Sequence, residues 1–132
     1  MKAPASDLWE RATDALRVAQ HDLALSPDAA ASRAYYAAFY AASALFALQD
    51  KTFARHSALE AAVHRDLVRP GTWPEELGRG YSRLAQLRHR GDYGGDRHVS
   101  ESDAKESLRI ATDILRAVGD VCPEAFPFPD DL

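Results

Sequence analysis

One stretch of this chain constrains the fold more than any other. Between residues 29 and 48 it carries Ala29, Ala30, Ala31, Ala34, Ala37, Ala38, Ala41, Ala42 and Ala44, interleaved with Tyr35, Tyr36, Phe39, Tyr40, Leu45 and Phe46. Polar residues almost vanish after Arg33. Alanine is the strongest helix former, and Ser26-Pro27-Asp28 ahead of it supplies an N-cap, a first-turn proline and a helix-start acid. A helix that is apolar on nearly every side has to be covered on nearly every side. In a chain of 132 residues that makes it a central helix, a dimer seam, or both.

The rest of the sequence offers helices to cover it. Leu8, Trp9, Ala12, Leu16, Ala19 and Leu23 recur at three- and four-residue steps, which predicts a helix over residues 6–25. Leu59, Val63 and Leu67 predict another over 54–68, stopped by Arg69-Pro70-Gly71. Thr72-Trp73-Pro74-Glu75 reads as a capping box for a fourth helix. That helix carries Leu77, Tyr81, Leu84 and Leu87 on one face and Arg79, Arg83 and Arg90 off it. Residues 91–99, rich in Gly and Asp, read as a loop. Ser100-Glu101-Ser102-Asp103 opens a last helix with a stripe of Ala104, Leu108, Ala111, Leu115 and Val118. No period-two strand pattern competes. The fold class is therefore all-α: an antiparallel bundle of about five helices over residues 1–120. A Pro-rich C-terminal tail, 121–132, trails or packs along the surface.

Several function classes drop out. A net charge of −4 argues against a protein that coats nucleic acid, because such binding neutralises many phosphates. Charge is nonetheless uneven: residues 79–98 hold five arginines and two aspartates, a formal +3, which leaves −7 for the remainder. The lone Cys122 allows neither an internal disulfide nor a cysteine-rich zinc site. His56 and His64 are eight apart, and His89 and His98 flank the loop, with no acids spaced to complete a cage, so no metal and no cofactor is expected. Gly91, Gly94 and Gly95 lack the Lys-Ser/Thr of a P-loop, and no serine has a nucleophile elbow. Met1-Lys2-Ala3-Pro4 lacks a signal peptide's apolar core and no membrane span is apparent, so the expected location is cytoplasmic.

Chemistry concentrates in Arg88-His89-Arg90-Gly91-Asp92-Tyr93. Guanidiniums at a helix end next to glycines suit phosphate groups. Arg33, Arg83, Arg88, Arg90, Asp92 and Tyr93 are the candidate nucleotide- or phosphate-binding residues. Metal-free cleavage of RNA needs a base for the 2′-hydroxyl, an acid for the leaving oxygen and a cation for the phosphorane. Arg88 supplies the cation, with His89 or Tyr93 as candidate proton carriers. The plainer alternative is pairing: Arg88 and Asp92 are four apart on a helix, a contact worth about 0.5 kcal/mol when exposed. A buried Arg33 would likewise need an acid, and Asp92 is its candidate.

Two segments resemble a known family. Ser32-Arg33-Ala34-Tyr35-Tyr36-Ala37-Ala38-Phe39-Tyr40-Ala41-Ala42 is similar to the second-helix signature of HEPN domains, and Leu87-Arg88-His89-Arg90-Gly91-Asp92-Tyr93 resembles their later arginine and Asp-Tyr signature. His56-Ser57 and the start of the last helix also fit. The resemblance implies a helical bundle, usually dimeric, often encoded beside a minimal nucleotidyltransferase as a toxin–antitoxin or related pair. Some members are metal-independent RNases whose motif is an arginine, four to six residues, then histidine. Counting from Arg88 reaches Tyr93, Gly94 and Gly95 instead; Arg83 to His89 meets the spacing but is out of register with the Asp-Tyr landmark. The expected function is a homodimeric module that binds a nucleotide or RNA phosphate and partners a nucleotidyltransferase. The alternatives are a metal-independent RNA endonuclease toxin and a purely structural interaction module.

Overall fold

The computed structural model describes residues 4–132. Five α-helices follow in order: α1 (Ala5–Asp22), α2 (Pro27–Ala47), α3 (His56–Ala62), α4 (Glu75–Tyr93) and α5 (Glu101–Val121). A π-helical turn, Val63–Val68, continues directly from α3. Among the described residues there is no strand, and no helix is long and apolar enough to cross a membrane.

α2 is the axis on which α1, α4 and α5 pack. Ser26 Oγ caps it, accepting from Ala29 N at 3.2 Å, and Pro27 opens the first turn. Its alanines are fully buried from Ala30 to Ala44, because small side chains let neighbouring backbones close in. Leu16, Leu59, Leu84, Ile114 and Leu115 fill the spaces between helices, each removing from water an apolar side chain worth about 1.5–3 kcal/mol. Late α4 meets early α2 at Gly91 and Asp28, so these two helices run in opposite directions. Early α5 meets early α2 around Ala104, Val99, Ala30 and Ala31, so α5 runs with α2. This is the expected helical bundle.

Several expectations about boundaries are corrected. α1 stops at Asp22, and Leu25 is exposed beyond it. α3 begins at His56, not at residue 54, and its last turn is π-helical. No capping box forms at Thr72: Pro74 occupies the N-cap of α4 without a side-chain cap, and Trp73 N donates to Leu67 O at 2.8 Å. α4 does not end at Gly91 but runs to Tyr93. The tail does more than lie along the surface. Phe126 is fully buried, its ring 5.3 Å from that of Trp9, and Trp9 Nε1 donates to Pro127 O at 2.8 Å. Arg17 grips Asp131 through Nε at 2.6 Å and Nη2 at 3.1 Å.

Candidate functional site

On α4, Tyr81, Leu84 and Arg88 follow at three- and four-residue steps, so the stripe that buries Tyr81 and Leu84 also turns Arg88 towards α2. The Arg88 guanidinium carbon lies 4.9 Å from the Tyr35 ring centroid and 5.9 Å from that of Tyr36. Its side chain is 18% exposed, its Nε is buried without a hydrogen bond, and its ion pair with Asp92 is 3.7 Å long. Arg33 does not use Asp92 as its partner; its guanidinium stacks over Tyr36 at 4.7 Å. The Tyr35 hydroxyl lies 3.0 Å from His56 Nδ1. The His56 ring is packed against Phe39 at 4.4 Å. Burial first, then the charge of Arg88, holds the His56 pKa below its usual value. Burial raises Tyr35, and raises Tyr81 further.

The adjacent face of α4 forms something different. Ser82, Gln86, His89 and Tyr93, again at helical spacing, line a cavity of about 600 Å³ with Arg90, Gly94 and Arg97, and Glu60 of α3 walls its far side. His89 and Tyr93 pack ring against ring at 5.2 Å, and Tyr93 is 68% exposed. Arg97 forms no ion pair among the described residues, and Arg90 has only Asp103 at 3.6 Å. Two cations therefore face this cavity with their donors largely unspent. Glu60 Oε2 accepts from Ser82 Oγ at 2.6 Å, and Ser82 Oγ also contacts His64 Nε2 at 2.9 Å.

The loop that carries Arg97 is tied down from α2. Asp28 accepts from Val99 N at 2.7 Å and pairs with His98 Nδ1 at 2.6 Å. Burial alone would raise the Asp28 pKa, but the bonds from His98 and Val99 bring it below the usual carboxyl value. The same bond, with the charge of Asp28, raises His98.

The arginines expected to gather at one end of α4 are divided. Arg33 and Arg88 turn to the tyrosines of α2 and do not line the cavity, whereas His89, Arg90 and Tyr93 do. Arg83 faces α5, bonded to Glu106 at 2.9 Å and Asp103 at 3.3 Å. It lines a second groove of about 430 Å³, where Arg79 and Arg109 alternate with Glu76, Glu106 and Asp113 and the charges largely cancel. Asp92 serves Arg88. Sequence reasoning missed Glu60, Ser82 and Arg97 as site residues and weighed His64 only as a metal ligand. Ser82 was findable, seven residues before His89 on the same stripe; Glu60 and His64 come from another element and left no local signal. Among the described residues no three His, Cys, Asp or Glu side chains cluster as metal ligands do.

Comparison with known proteins agrees with the helical fold. The family model for the HEPN domain matches residues 5–121. A UPF0332 protein of Thermotoga maritima is 38% identical over 89 residues, 67% of each chain. A UPF0332 protein of Gloeobacter violaceus is 35% identical over 108 residues, 80% of this chain and 85% of that one. Among solved structures, TT1696 from Thermus thermophilus superposes with a TM-score of 0.75 at 28% identity, over 88% of this chain and 96% of the other. The chain belongs to the HEPN domain family.

Proposed function

We propose that this HEPN protein is a binding module that takes the phosphate of a nucleotide or RNA into the cavity at the C-terminal end of α4. It acts in the cytoplasm as a homodimer and as partner of a minimal nucleotidyltransferase in a toxin–antitoxin-type pair. The observation that carries the ligand reading is Arg97, without an ion pair among the described residues, beside the weakly held Arg90 in one cavity with Tyr93 and His89. Carbonyls at a helix C-terminus repel anions, so a phosphate there needs cations to outweigh them. Guanidiniums supply that charge in a fork matched to phosphate, and an exposed tyrosine offers a stacking face to a base. Titration calorimetry with a nucleotide tests this. Wild-type protein binds, Arg97→Ala and Arg90→Ala each weaken binding about tenfold or more, and the salt dependence falls in both. Negligible binding by wild type removes the reading. Copurification with a nucleotidyltransferase encoded nearby tests the partner. The half-buried aromatic stripe of Tyr36, Phe39 and Tyr40 on α2 supports self-association. A single monomeric boundary in sedimentation velocity at micromolar concentration rejects it.

A second reading has one observation in its favour: His89 shares the cavity with two arginines, so a proton carrier and a cation lie together. RNA incubated with the protein in EDTA decides it. Cleavage that disappears in His89→Ala supports an RNase, and intact RNA at high protein concentration rejects one.

A further inference from the structure

Glu60 is the one carboxylate lining the cavity among the described residues. In a site built for an anion, a carboxylate is unfavourable unless the ligand brings hydrogen-bond donors to it. Its position is not accidental. Ser82 Oγ donates its single proton to Glu60 Oε2 at 2.6 Å, so the 2.9 Å contact with His64 runs the other way, with Nε2–H donating to the serine oxygen. His64 is delivered by the π-helical turn, the kind of irregularity that recurs at functional sites. Its ring is packed over Gly78, where an added Cβ would lie 3.1 Å from the imidazole and 2.7 Å from Val68 Cγ2. Three elements thus hold one carboxylate, and Glu60 Oε1 keeps no hydrogen bond among the described residues.

We propose that Glu60 reads the sugar of the ligand: Oε1 accepts from the vicinal hydroxyls of a ribose whose phosphate is held by Arg90 and Arg97. The inference rests on the phosphate reading above and narrows its substrate class to ribonucleotides. The size fits, since a cavity of about 600 Å³ lies inside the roughly 300–1,000 Å³ range of small-molecule sites. The chemistry fits as well. A carboxylate is a pure acceptor, each ribose hydroxyl is a donor, and the resulting bond is charge-assisted. Ser82 and His64 are positioning residues that keep Oε2 occupied so that Oε1 faces the cavity.

The test uses the full chain and three probes in calorimetry: pyrophosphate, uridine 5′-monophosphate and its 2′,3′-dideoxy analogue. Uracil carries no amino group and both nucleotides share it, so the two differ at the diol alone. Wild type binds pyrophosphate, and binds the ribonucleotide about tenfold or more tighter than the dideoxy analogue, the effect of the charge-assisted bonding to the diol. In Glu60→Ala that preference collapses while pyrophosphate binding is retained or tightened. Ser82→Ala, which keeps the carboxylate but releases it, shrinks the preference with pyrophosphate unchanged. Retained helical circular dichroism in both variants separates these effects from misfolding, and Glu60→Gln repeats the test if Glu60→Ala fails to fold. Pyrophosphate binding with equal affinity for the two nucleotides overturns the sugar reading alone. No pyrophosphate binding by wild type overturns the phosphate reading and this one with it.

Discussion

Arg88 is held by ring faces more than by its carboxylate. Two tyrosine rings lie within 6 Å of the guanidinium, while Asp92 stays 3.7 Å away. The pairing with Asp92 was legible from a four-residue spacing; the stacking was not, because Tyr35 and Tyr36 lie on a different helix. Arg88→Gln removes the charge that helps depress His56, so the His56 pKa, followed by NMR, rises towards its ordinary value. The Asp28–His98 bond makes a separate prediction. His98 has its pKa raised on folding, so its contribution is complete below its unfolded value of about 6.5 and is lost as pH rises through the folded one. Asp28 has its pKa lowered, so its contribution is complete above about 3.9 and is lost as pH falls through the folded value. The tie is therefore strongest between about pH 4 and 6.5. Melting curves of His98→Gln show their largest deficit against wild type near pH 5.5, and the deficit shrinks as pH rises through the folded His98 value; a deficit that does not change with pH refutes the assignment.

Helices were easier to read than their ends. The apolar stripes of α1, α2, α4 and α5 all face the core, because period is set by burial along a whole element. Gly91 misled as a helix stop. It is glycine because α2 passes against it: an added Cβ would lie 2.9 Å from Asp28 O. Backbone cannot rotate aside as a side chain can. Gly91→Ala therefore costs about 1–3 kcal/mol from overpacking, more than the roughly 1 kcal/mol of helix propensity it gains, and the urea midpoint falls. An unchanged or raised midpoint shows that the two helices can separate freely. The π-helical turn left no mark on the sequence, since its period differs from an α-helix by too little over six residues. Glu60 and His64 lie 22 and 18 residues from Ser82, so no local spacing marks the three as a group.

Across the molecule, the last eleven residues complete the core. Prolines pointed to a non-helical tail, and the segment is non-helical, but its two phenylalanines were the better guide. Phe126 fills the space beside Trp9 and Gly119, where a larger residue than glycine would meet Phe126 O at 3.1 Å. Phe128 lies under the Arg116 guanidinium at 4.2 Å. Phe126→Ala lowers stability by about 3–5 kcal/mol in denaturant titration, whereas Asp131→Ala, at the exposed end of the same segment, changes little. A small loss from Phe126→Ala means the tail does not close the core. The docking has a practical corollary. The chain has two tryptophans, both buried: Trp9 against the tail, and Trp73 at the joint between the π-helical turn and α4. Their fluorescence reports two environments at once. With Trp73 replaced by phenylalanine, the emission of Trp9 alone follows release of the tail, and any red shift that precedes loss of helix marks a step in which the bundle opens from that end.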